Sequence, residues 1–347
     1  MKRIISLFFI LFSLLLLSSC GKAKIYKRTF LYFDTEITIS LFNTEHYSEV
    51  VFSELDSIFS LYHSITNRYE EEKDGPLGVY TLNHSNGESI SVSKKLIDLL
   101  KDVLSYEYIL NDNGDPYFTI GIGQLSDIWH PYFLNEETFS LPDSSLLSQT
   151  YNTDTSNIII DKTNNTVCLK EGLKLDLGGV VKGYLSKLLI DYFSERNVKY
   201  VINMGSSSII TNLGNPKRKN NEYIVGLTNP NITKDNYKGN VIYGKIALPL
   251  NTAISTSGDY QKYLIHNNQL YSSIIDPYTN YPVNTDIRSI SVLYNDPLYG
   301  DILSTTLFMM GKEKALEYAK AHNLEIILYT NRDEVFMTGG IKEIYSH

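Results

Sequence analysis

Residues 173–193 constrain the fold of this chain more than any other segment. Leucine alternates with polar residues over residues 173–177, which predicts a strand, and the glycine pair Gly178-Gly179 follows. Apolar side chains then recur at helical spacing over residues 184–193, so we expect a helix just after the glycines. A strand, a glycine turn and a helix offer backbone N–H groups and a helix N-terminus to an anion such as a phosphate.

Two charged side chains accompany this turn. Lys182 could add a positive charge to the same anion. Asp176 has the wrong charge for a phosphate, but it suits a hydrogen bond to a ribose or a ring, or a cation. An ordinary strand-to-helix turn with a surface lysine would look the same, and this segment alone favours that simpler interpretation.

The first twenty residues form a separate unit. Lys2-Arg3 precede an apolar run over residues 4–17, and Leu-Ser-Ser then leads directly into Cys20. This pattern matches a bacterial lipobox, although a plain signal peptide or an anchor helix are the alternatives. We therefore expect a lipoprotein signal peptide over residues 1–19 and a lipidated tether over residues 20–28. Acyl chains on Cys20 would hold the protein at a membrane, outside the cytoplasm.

Composition argues against several other classes of protein. The net charge of −8 over 347 residues argues against a nucleic-acid partner and gives no polybasic patch for a membrane surface. Cys168 is the only cysteine besides Cys20, so we expect no disulfide within the mature chain. Cys168 lies in an alternating run, where a packed strand residue is a better interpretation than a nucleophile.

Strands interspersed irregularly with helices predict an α+β fold over residues 29–347, as one domain or two sub-domains. A wall against a flat ligand, or a bulged buried strand, is expected over residues 117–125. Helices are expected over residues 48–63, 93–110, 184–193, 300–311 and 313–322. Strands are expected over residues 173–177, 200–204, 223–227, 245–250, 271–277 and 289–294. A strand pair broken near residues 34–35 is expected over residues 29–42, and hairpins are expected over residues 157–170 and over residues 325–330 with 334–338.

The predicted helix at residues 300–311 carries a second candidate site. Asp301 and Thr305 are four residues apart, so they share one helix face. A carboxylate and a hydroxyl at that spacing can both ligate a hard cation such as Mg²⁺. The alternative is that Asp301 merely caps the helix and Thr305 bonds back to the preceding turn.

Seven segments carry motifs in a fixed order along the chain. They are Thr35 with Ile37 and Thr38; residues 117–125; residues 176–184; Asn203-Met204-Gly205; residues 256–260; residues 274–282; and residues 301–306. Together they resemble the FAD:protein FMN transferase family, the ApbE-like flavin transferases, over residues 28–340. The resemblance implies a T-fold-related architecture of mixed, largely antiparallel sheets with packed helices.

The resemblance also implies an activity. Such an enzyme transfers FMN from FAD to a threonine or serine of an acceptor flavoprotein subunit through a phosphoester bond, and releases AMP. Mg²⁺ would be held by Asp301, Thr305 and the carbonyl of Gly179, and Asp301 and Lys182 would be catalytic. The implied FAD contacts are Phe33, Tyr117, Phe118, Thr119, Asp176, Lys182, Ser257, Gly258 and Ser273. The base that activates the acceptor hydroxyl stays open between Asp259 and Asp301.

This chain departs from the family pattern at several places. Phe33-Asp34 replaces the usual Met-Gly, Thr119 replaces an aspartate, and Ser273 replaces the histidine before Ile-Ile-Asp-Pro. The loop over residues 67–83 is also atypical, and no residue is carried over there. Two other functions therefore stay open: an FAD hydrolase that gives FMN and AMP, and a flavin-binding lipoprotein without catalysis. A surface-adhesion lipoprotein would need none of these motifs.

Overall fold

The computed structural model describes residues 24–42, 44, 47–71, 75–111, 117–134, 140–205, 207–212, 214, 223–232 and 240–347. The predicted signal peptide and Cys20 lie outside these residues. Across the part of the chain that is described, no helix has the length and apolar character needed to cross a bilayer.

The described residues alternate between strands and helices without a regular repeat. The helices are α1 (Ser48–Thr66), α2 (Val79–Asn83), α3 (Lys94–Asn111), α4 (Gly123–Leu134), α5 (Ser144–Leu147), α6 (Val181–Glu195), α7 (Pro297–Met310), α8 (Lys312–Ala321) and α9 (Gly339–Ile344). The strands are β1 (Ile25–Tyr32), β2 (Thr35–Phe42), β3 (Ile90–Ser91), β4 (Ile158–Asp161), β5 (Thr166–Leu169), β6 (Lys199–Met204), β7 (Ser208–Thr211), β8 (Tyr223–Thr228), β9 (Ile242–Leu248), β10 (Ala253–Gly258), β11 (Tyr263–His266), β12 (Gln269–Ser272), β13 (Ile287–Tyr294), β14 (Glu325–Thr330), β15 (Val335–Met337) and β16 (Tyr345–Ser346).

A central antiparallel sheet organises the molecule. Within the described ranges its strand order is β1-β2-β6-β7-β10-β13-β14-β15, and every neighbouring pair is antiparallel. Alternate side chains such as Ile37 and Ile202 pack on one face against α1, α6 and α7. Ile254 and Ile327 on the other face pack against the smaller sheet β16-β9-β8. The predicted α+β class with antiparallel sheets is confirmed.

Several predicted boundaries shift. Strand β1 begins at Ile25, four residues before the predicted domain start, because residues 25–28 pair with residues 39–42 of β2. Helix α6 begins at Val181 rather than at residue 184. Cys168 is buried in β5, as predicted for a packed strand residue.

The predicted strand over residues 173–177 is wrong. Its leucines are buried as expected, but the backbone pairs with a strand-like partner only at the isolated bridge between Ile122 and Lys174. Side chains supply the bonds of Leu175: Asn83 exchanges hydrogen bonds with its N–H and C=O, and Arg68 Nε donates to the same carbonyl. The N–H of Asp176 donates to the carbonyl of Ile120 at 2.9 Å, and the carbonyl of Lys174 accepts from the N–H of Gly123 at 3.0 Å. Because a buried backbone must find partners somewhere, this extended segment is held by side chains and by the backbone of residues 120–123 instead of a regular strand.

The bulged strand considered for residues 117–125 is wrong as well. Residues 117–121 lie outside any helix or strand, and α4 then begins at Gly123. A Cβ atom at Gly123 would lie 2.7 Å from the carbonyl oxygen of Lys174. This close backbone approach is therefore to the protein's own residues 174–175, and not to a flat ligand.

Helix α7 owes its position to its first turn. The Asp296 carboxylate caps the helix by accepting hydrogen bonds from the N–H groups of Leu298 and Tyr299, and Pro297 fits the first helical position. The other oxygen of Asp296 accepts from the Tyr106 hydroxyl at 2.6 Å, which ties α7 to α3.

Replacing this cap should therefore destabilise the protein. We expect Asp296→Ala to lower the free energy of unfolding by about 1–2 kcal/mol, because two helix N–H groups lose their partner. Urea denaturation would measure the loss. Asp98→Ala, which removes an exposed carboxylate of α3 paired with Lys94, is the control and should change stability by less than about 0.5 kcal/mol. Equal effects of the two substitutions would contradict this account.

Candidate active site

Asp301 lies at the centre of the candidate site, where α7 packs against the start of α6. Its carboxyl group is buried, with only 4% of the residue exposed. The Ser208 hydroxyl donates to Oδ1 at 2.6 Å, and the backbone N–H of Gly183 donates to the same carboxyl group. A Cβ atom at Gly183 would lie 2.8 Å from Oδ2 and 2.7 Å from the carbonyl oxygen of Pro297. Only glycine lets the two helices approach this closely.

The electrostatics of Asp301 follow from this burial. Burial raises the pKa of the Asp301 carboxyl, while the positive charge of Lys182 and the hydrogen bonds from Ser208 and Ser255 act to lower it. A buried carboxylate is costly unless positive charge offsets it. The site therefore favours a cation beside Asp301.

Thr305 and Ser257 add hydroxyl oxygens to the same place. Thr305 follows Asp301 by one helical turn, and its hydroxyl donates to the Asp301 backbone carbonyl at 3.2 Å. The Ser257 hydroxyl lies 3.1 Å from that of Thr305 and 2.8 Å from that of Ser304. The predicted sharing of one helix face by Asp301 and Thr305 is confirmed. The alternative role of Asp301 as helix cap is wrong, because Asp296 caps α7.

The glycine turn joins this cluster through Lys182. Residues 178–180 form a turn directly before α6, and both glycines are exposed. The Lys182 ammonium group donates to the carbonyl of Gly178 at 3.3 Å, and Asp176 Oδ1 accepts from the N–H of Gly178 at 2.8 Å. The ring of Phe118 is the nearest neighbour of a Cβ built at Gly179, at 3.9 Å. Phe118, the turn and Lys182 thus border one surface.

Arg68 lies beside Asp176, just before the glycine turn. It was not predicted from the sequence. Its side chain is 3% exposed, lies 3.8 Å from Asp176, and donates to the carboxylate of Asp127 and the carbonyl of Gly123. These contacts span 55 to 108 sequence positions, and Arg68 lies in the loop that sequence reasoning left unassigned, so no local spacing revealed them.

An aromatic stack extends from Arg68. The guanidinium group lies 4.9 Å from the centre of the Tyr69 ring, and Tyr69 stacks on His130 with ring centres 3.7 Å apart. Burial, together with the charges of Lys262 and Arg68, lowers the pKa of His130. His130 is therefore packed in the same part of the molecule as Asp176.

Phe33 occupies a strained position. Phe33 and Asp34 form the two-residue turn between β1 and β2, with φ of 56° and 55°. This left-handed conformation is unfavourable for a bulky side chain. The Phe33 N–H donates to His63 Nδ1 at 3.3 Å, and the two rings make an edge contact. These contacts hold the turn in place.

The remaining predicted FAD contacts in the described part of the chain each have neighbours within the protein. The Thr119 hydroxyl faces the protein, since it donates to the carbonyl of Thr153 and accepts from the N–H of Gly121. The Tyr117 hydroxyl accepts from the Lys314 ammonium group at 3.0 Å. Gly258 ends β10, and a Cβ there would meet the Tyr260 ring at 2.6 Å. Ser273 is exposed and bonds through its backbone to Lys262.

Asp259 is held in an ion pair. Its carboxylate lies 2.7 Å from Arg288 Nε, and the same guanidinium group bonds to Asn231 and to the carbonyl of Pro230. Burial raises the pKa of Asp259, and Arg288 opposes that shift. Of the two candidate bases, Asp259 is thus already engaged with a cation.

A cavity of about 960 Å³ lies next to this cluster. Phe33 is the only predicted FAD contact among its lining residues, and Ser208, which bonds to Asp301, also lines it. The residues predicted to bind FAD therefore border a different surface from most of this cavity.

Comparison with known proteins decides the family. A family model described as the ApbE family matches residues 33–328, which is most of the chain. This chain belongs to the ApbE family. An FAD:protein FMN transferase of Klebsiella pneumoniae is 26% identical over 297 residues, covering 83% of this chain and 87% of the relative. One of Chlamydia muridarum is 28% identical over 279 residues, covering 78% and 79%.

Solved structures of ApbE proteins share the fold. An ApbE protein of Thermotoga maritima superposes with a TM-score of 0.77 at 20% identity, covering 93% of this chain and all of that one. The flavin transferase ApbE of Vibrio cholerae superposes with a TM-score of 0.72, also at 20% identity, with the same coverage. These similarities confirm the architecture that the ApbE motifs implied.

Glu107 bonds to the backbone of the ApbE motif at residues 117–125. This residue was not predicted from the sequence. This residue of α3 is 2% exposed, and its carboxylate accepts hydrogen bonds from the N–H of Ile120 and the hydroxyl of Thr155. Burial raises the pKa of Glu107 to about 6. The hydrogen bonds that act against this shift do not cancel it.

The close packing at Gly183 can be tested by adding one methyl group. Gly183→Ala should lower the free energy of unfolding by about 1–3 kcal/mol, because the new Cβ would overlap Asp301 and the carbonyl of Pro297. Thermal and urea denaturation would measure it. Gly339→Ala is the matched control, since a Cβ there meets nothing within 4 Å. A stable Gly183→Ala protein would contradict the proposed geometry.

Glu107 should make stability depend on pH. Because its folded pKa is raised from 4.5 to about 6, its favourable contribution is complete below pH 4.5 and is lost as the pH rises through 6. From pH 4 to pH 7.5, wild type should therefore lose about 2 kcal/mol relative to Glu107→Gln, which has no such titration. Urea denaturation of both proteins at several pH values would measure the difference. A difference that does not change with pH would contradict the raised pKa.

Proposed function

We propose that this protein transfers FMN from FAD to a serine or threonine hydroxyl of an acceptor protein, forming a phosphoester bond and releasing AMP. The observation that carries the proposal is the buried Asp301 carboxyl group, with hydroxyl oxygens on one side and Lys182 with the glycine turn on the other. The relatives named FAD:protein FMN transferase support the choice of reaction.

Mg²⁺ is the cation that these residues would suit. Within the described ranges, no three His, Cys, Asp or Glu side chains cluster as a metal site. A cation would therefore rest on one carboxylate, Asp301, with the Thr305 hydroxyl and the carbonyl of Gly179. Mg²⁺ is commonly bound in this way, by one or two carboxylates plus substrate phosphates and water. When bound, it would neutralise charge on the diphosphate of FAD.

The chain's own groups would do the rest by positioning and charge. Lys182 lies close enough to Asp301 for their charges to interact, and its ammonium group could turn from the carbonyl of Gly178 to a phosphate oxygen. Exposed backbone at Gly178-Gly179 could approach the diphosphate closely. Phosphoryl transfer depends on positioning and charge stabilisation more than on covalent catalysis, so this arrangement suits the reaction.

The nucleoside and flavin ends of FAD would bind along the surface that borders the turn. We propose Phe118, Asp176 and Phe33 as contacts there, together with Tyr117, Ser257, Gly258 and Ser273. Thr119 is proposed to act by holding its loop, because its hydroxyl is used within the protein.

We propose further that the mature protein is a lipoprotein outside the cytoplasm. The Leu-Ser-Ser-Cys sequence that ends the apolar N-terminal run supports lipidation of Cys20. Residues 20–24 would then link the acyl chains in the bilayer to β1, which begins at Ile25.

The Asp301 carboxylate should be indispensable for transfer. With FAD, Mg²⁺ and an acceptor fragment bearing the target threonine, we expect Asp301→Asn to lower the rate of acceptor labelling by about 10²–10³-fold, because the amide cannot supply the anionic ligand. In-gel flavin fluorescence and AMP release would be measured together. Asp98→Asn, an exposed carboxylate on α3 paired with Lys94, is the control and should label normally.

Each other outcome has a distinct meaning. Normal labelling by Asp301→Asn would overturn the assignment of the site. AMP release by wild type without labelled acceptor would identify an FAD hydrolase, and bound FAD without either product would identify a flavin-binding protein.

A further inference from the structure

Most of the cavity of about 960 Å³ lies on the opposite face of the central sheet from α7, and its end at the Phe33 turn extends to His63 of α1 on the helix side. Its lining includes Thr38 of β2, Asn203 of β6 and Thr256 of β10, which project away from the helices packed on the sheet. Strand β8 of the smaller sheet forms the facing wall, and the turn at Phe33 closes one end. Of the predicted FAD contacts, only Phe33 is among the described residues that line this cavity.

The lining is polar without positive charge. Thr38, Asn203, Thr256, Ser289 and Ser291 line the sheet side, and no lysine or arginine is among the lining residues. Asp34 and Glu36 supply negative charge near the turn. Such a surface disfavours a phosphate or another anion.

One polar group in the cavity wall lacks a partner. The side-chain oxygen of Asn203 is buried and accepts no hydrogen bond from any residue that the structure describes. A buried acceptor left unpaired is unfavourable, so a ligand that brings an N–H or O–H donor would be favoured here.

Strand β8 borders the cavity. Four consecutive residues, Val225, Gly226, Leu227 and Thr228, line the cavity, although neighbouring side chains of a strand point to opposite faces. The side chains of Val225 and Leu227 pack in the core between the sheets. Among the described strands, β8 pairs with β9 alone. Its free edge therefore presents N–H and C=O groups that another extended chain can pair with.

One wall of the cavity adjoins the candidate active site, although Asp301 is not itself among the described lining residues. Ser208 lines it and donates a hydrogen bond to Asp301 at 2.6 Å. Phe33, a proposed FAD contact, lines it at the end formed by the turn. A chain lying along β8 would thus lead toward the place where the diphosphate of FAD is proposed to bind.

We propose that this cavity binds an extended segment of the acceptor protein, which pairs with the β8 edge and directs its hydroxyl group toward Asp301. The proposal rests on the proposed function and identifies the surface for its second substrate. In the transfer, the acceptor oxygen bonds to the FMN phosphorus, the bond from that phosphorus to the oxygen of AMP breaks, and the hydroxyl proton is released to solvent. The segment should be uncharged or basic near the hydroxyl, because Asp34 and Glu36 lie at the cavity.

A substitution that fills the cavity tests this directly. In the full protein with FAD and Mg²⁺, Thr38→Trp should raise the KM for the acceptor at least tenfold while the Kd for FAD changes less than twofold. Ser40→Trp is the matched control, because Ser40 lies two residues further along the same face of β2 but does not line the cavity. An unchanged KM in Thr38→Trp would overturn the proposal.

Hydrogen exchange gives a second test that needs no substitution in the enzyme. An unreactive acceptor, with valine at the target threonine, should slow exchange of the amides of residues 225–228 at least tenfold in the wild-type protein. If the reactive acceptor becomes labelled but the unreactive one gives no such protection, the docking surface is overturned and the proposed function stands. Protection that needs no acceptor and grows with protein concentration would instead identify a second copy of this chain as the occupant. Failure of wild type to label any acceptor, with no AMP, would count against the proposed function itself.

Discussion

The buried carboxyl group of Asp301 is the interaction on which the rest of the site depends. Removing a carboxylate from water is costly, and a protein keeps one only where donors and positive charge surround it. Here the donors come from two separate elements, the hydroxyl of Ser208 at the start of β7 and the N–H of Gly183 in α6, and Lys182 of α6 adds positive charge. The central sheet and the α6–α7 contact are therefore parts of the site as well as of the fold.

Sequence reasoning predicted the parts of this site that depend on local spacing. Asp301 and Thr305 share a helix face because they are four residues apart, and Gly178-Gly179 precede a helix as the pattern indicates. Arg68, Asn83 and Glu107 could not be predicted in this way. Arg68 and Asn83 act on Leu175 from about a hundred positions away, and only the folded chain brings them together.

The error at residues 173–177 has the same origin. Alternating leucines indicate correctly which side chains are buried, but they do not reveal what the backbone bonds to. Asn83 and Arg68 bond to the backbone of Leu175, and the N–H of Asp176 donates to the carbonyl of Ile120. Buried polar side chains and the backbone of residues 120–123 therefore hold the segment that leads into the glycine turn.

We propose that Asp301 and Thr305 hold the cation used in FAD turnover. A crystal structure of the protein grown with AMP and Mn²⁺, analysed by anomalous scattering, would test it most directly, because Mn²⁺ accepts the same oxygen ligands as Mg²⁺. We expect one manganese peak within about 2.0–2.3 Å of an Asp301 carboxylate oxygen and the Thr305 hydroxyl. A manganese ion bound elsewhere, with these two side chains unliganded, would contradict it.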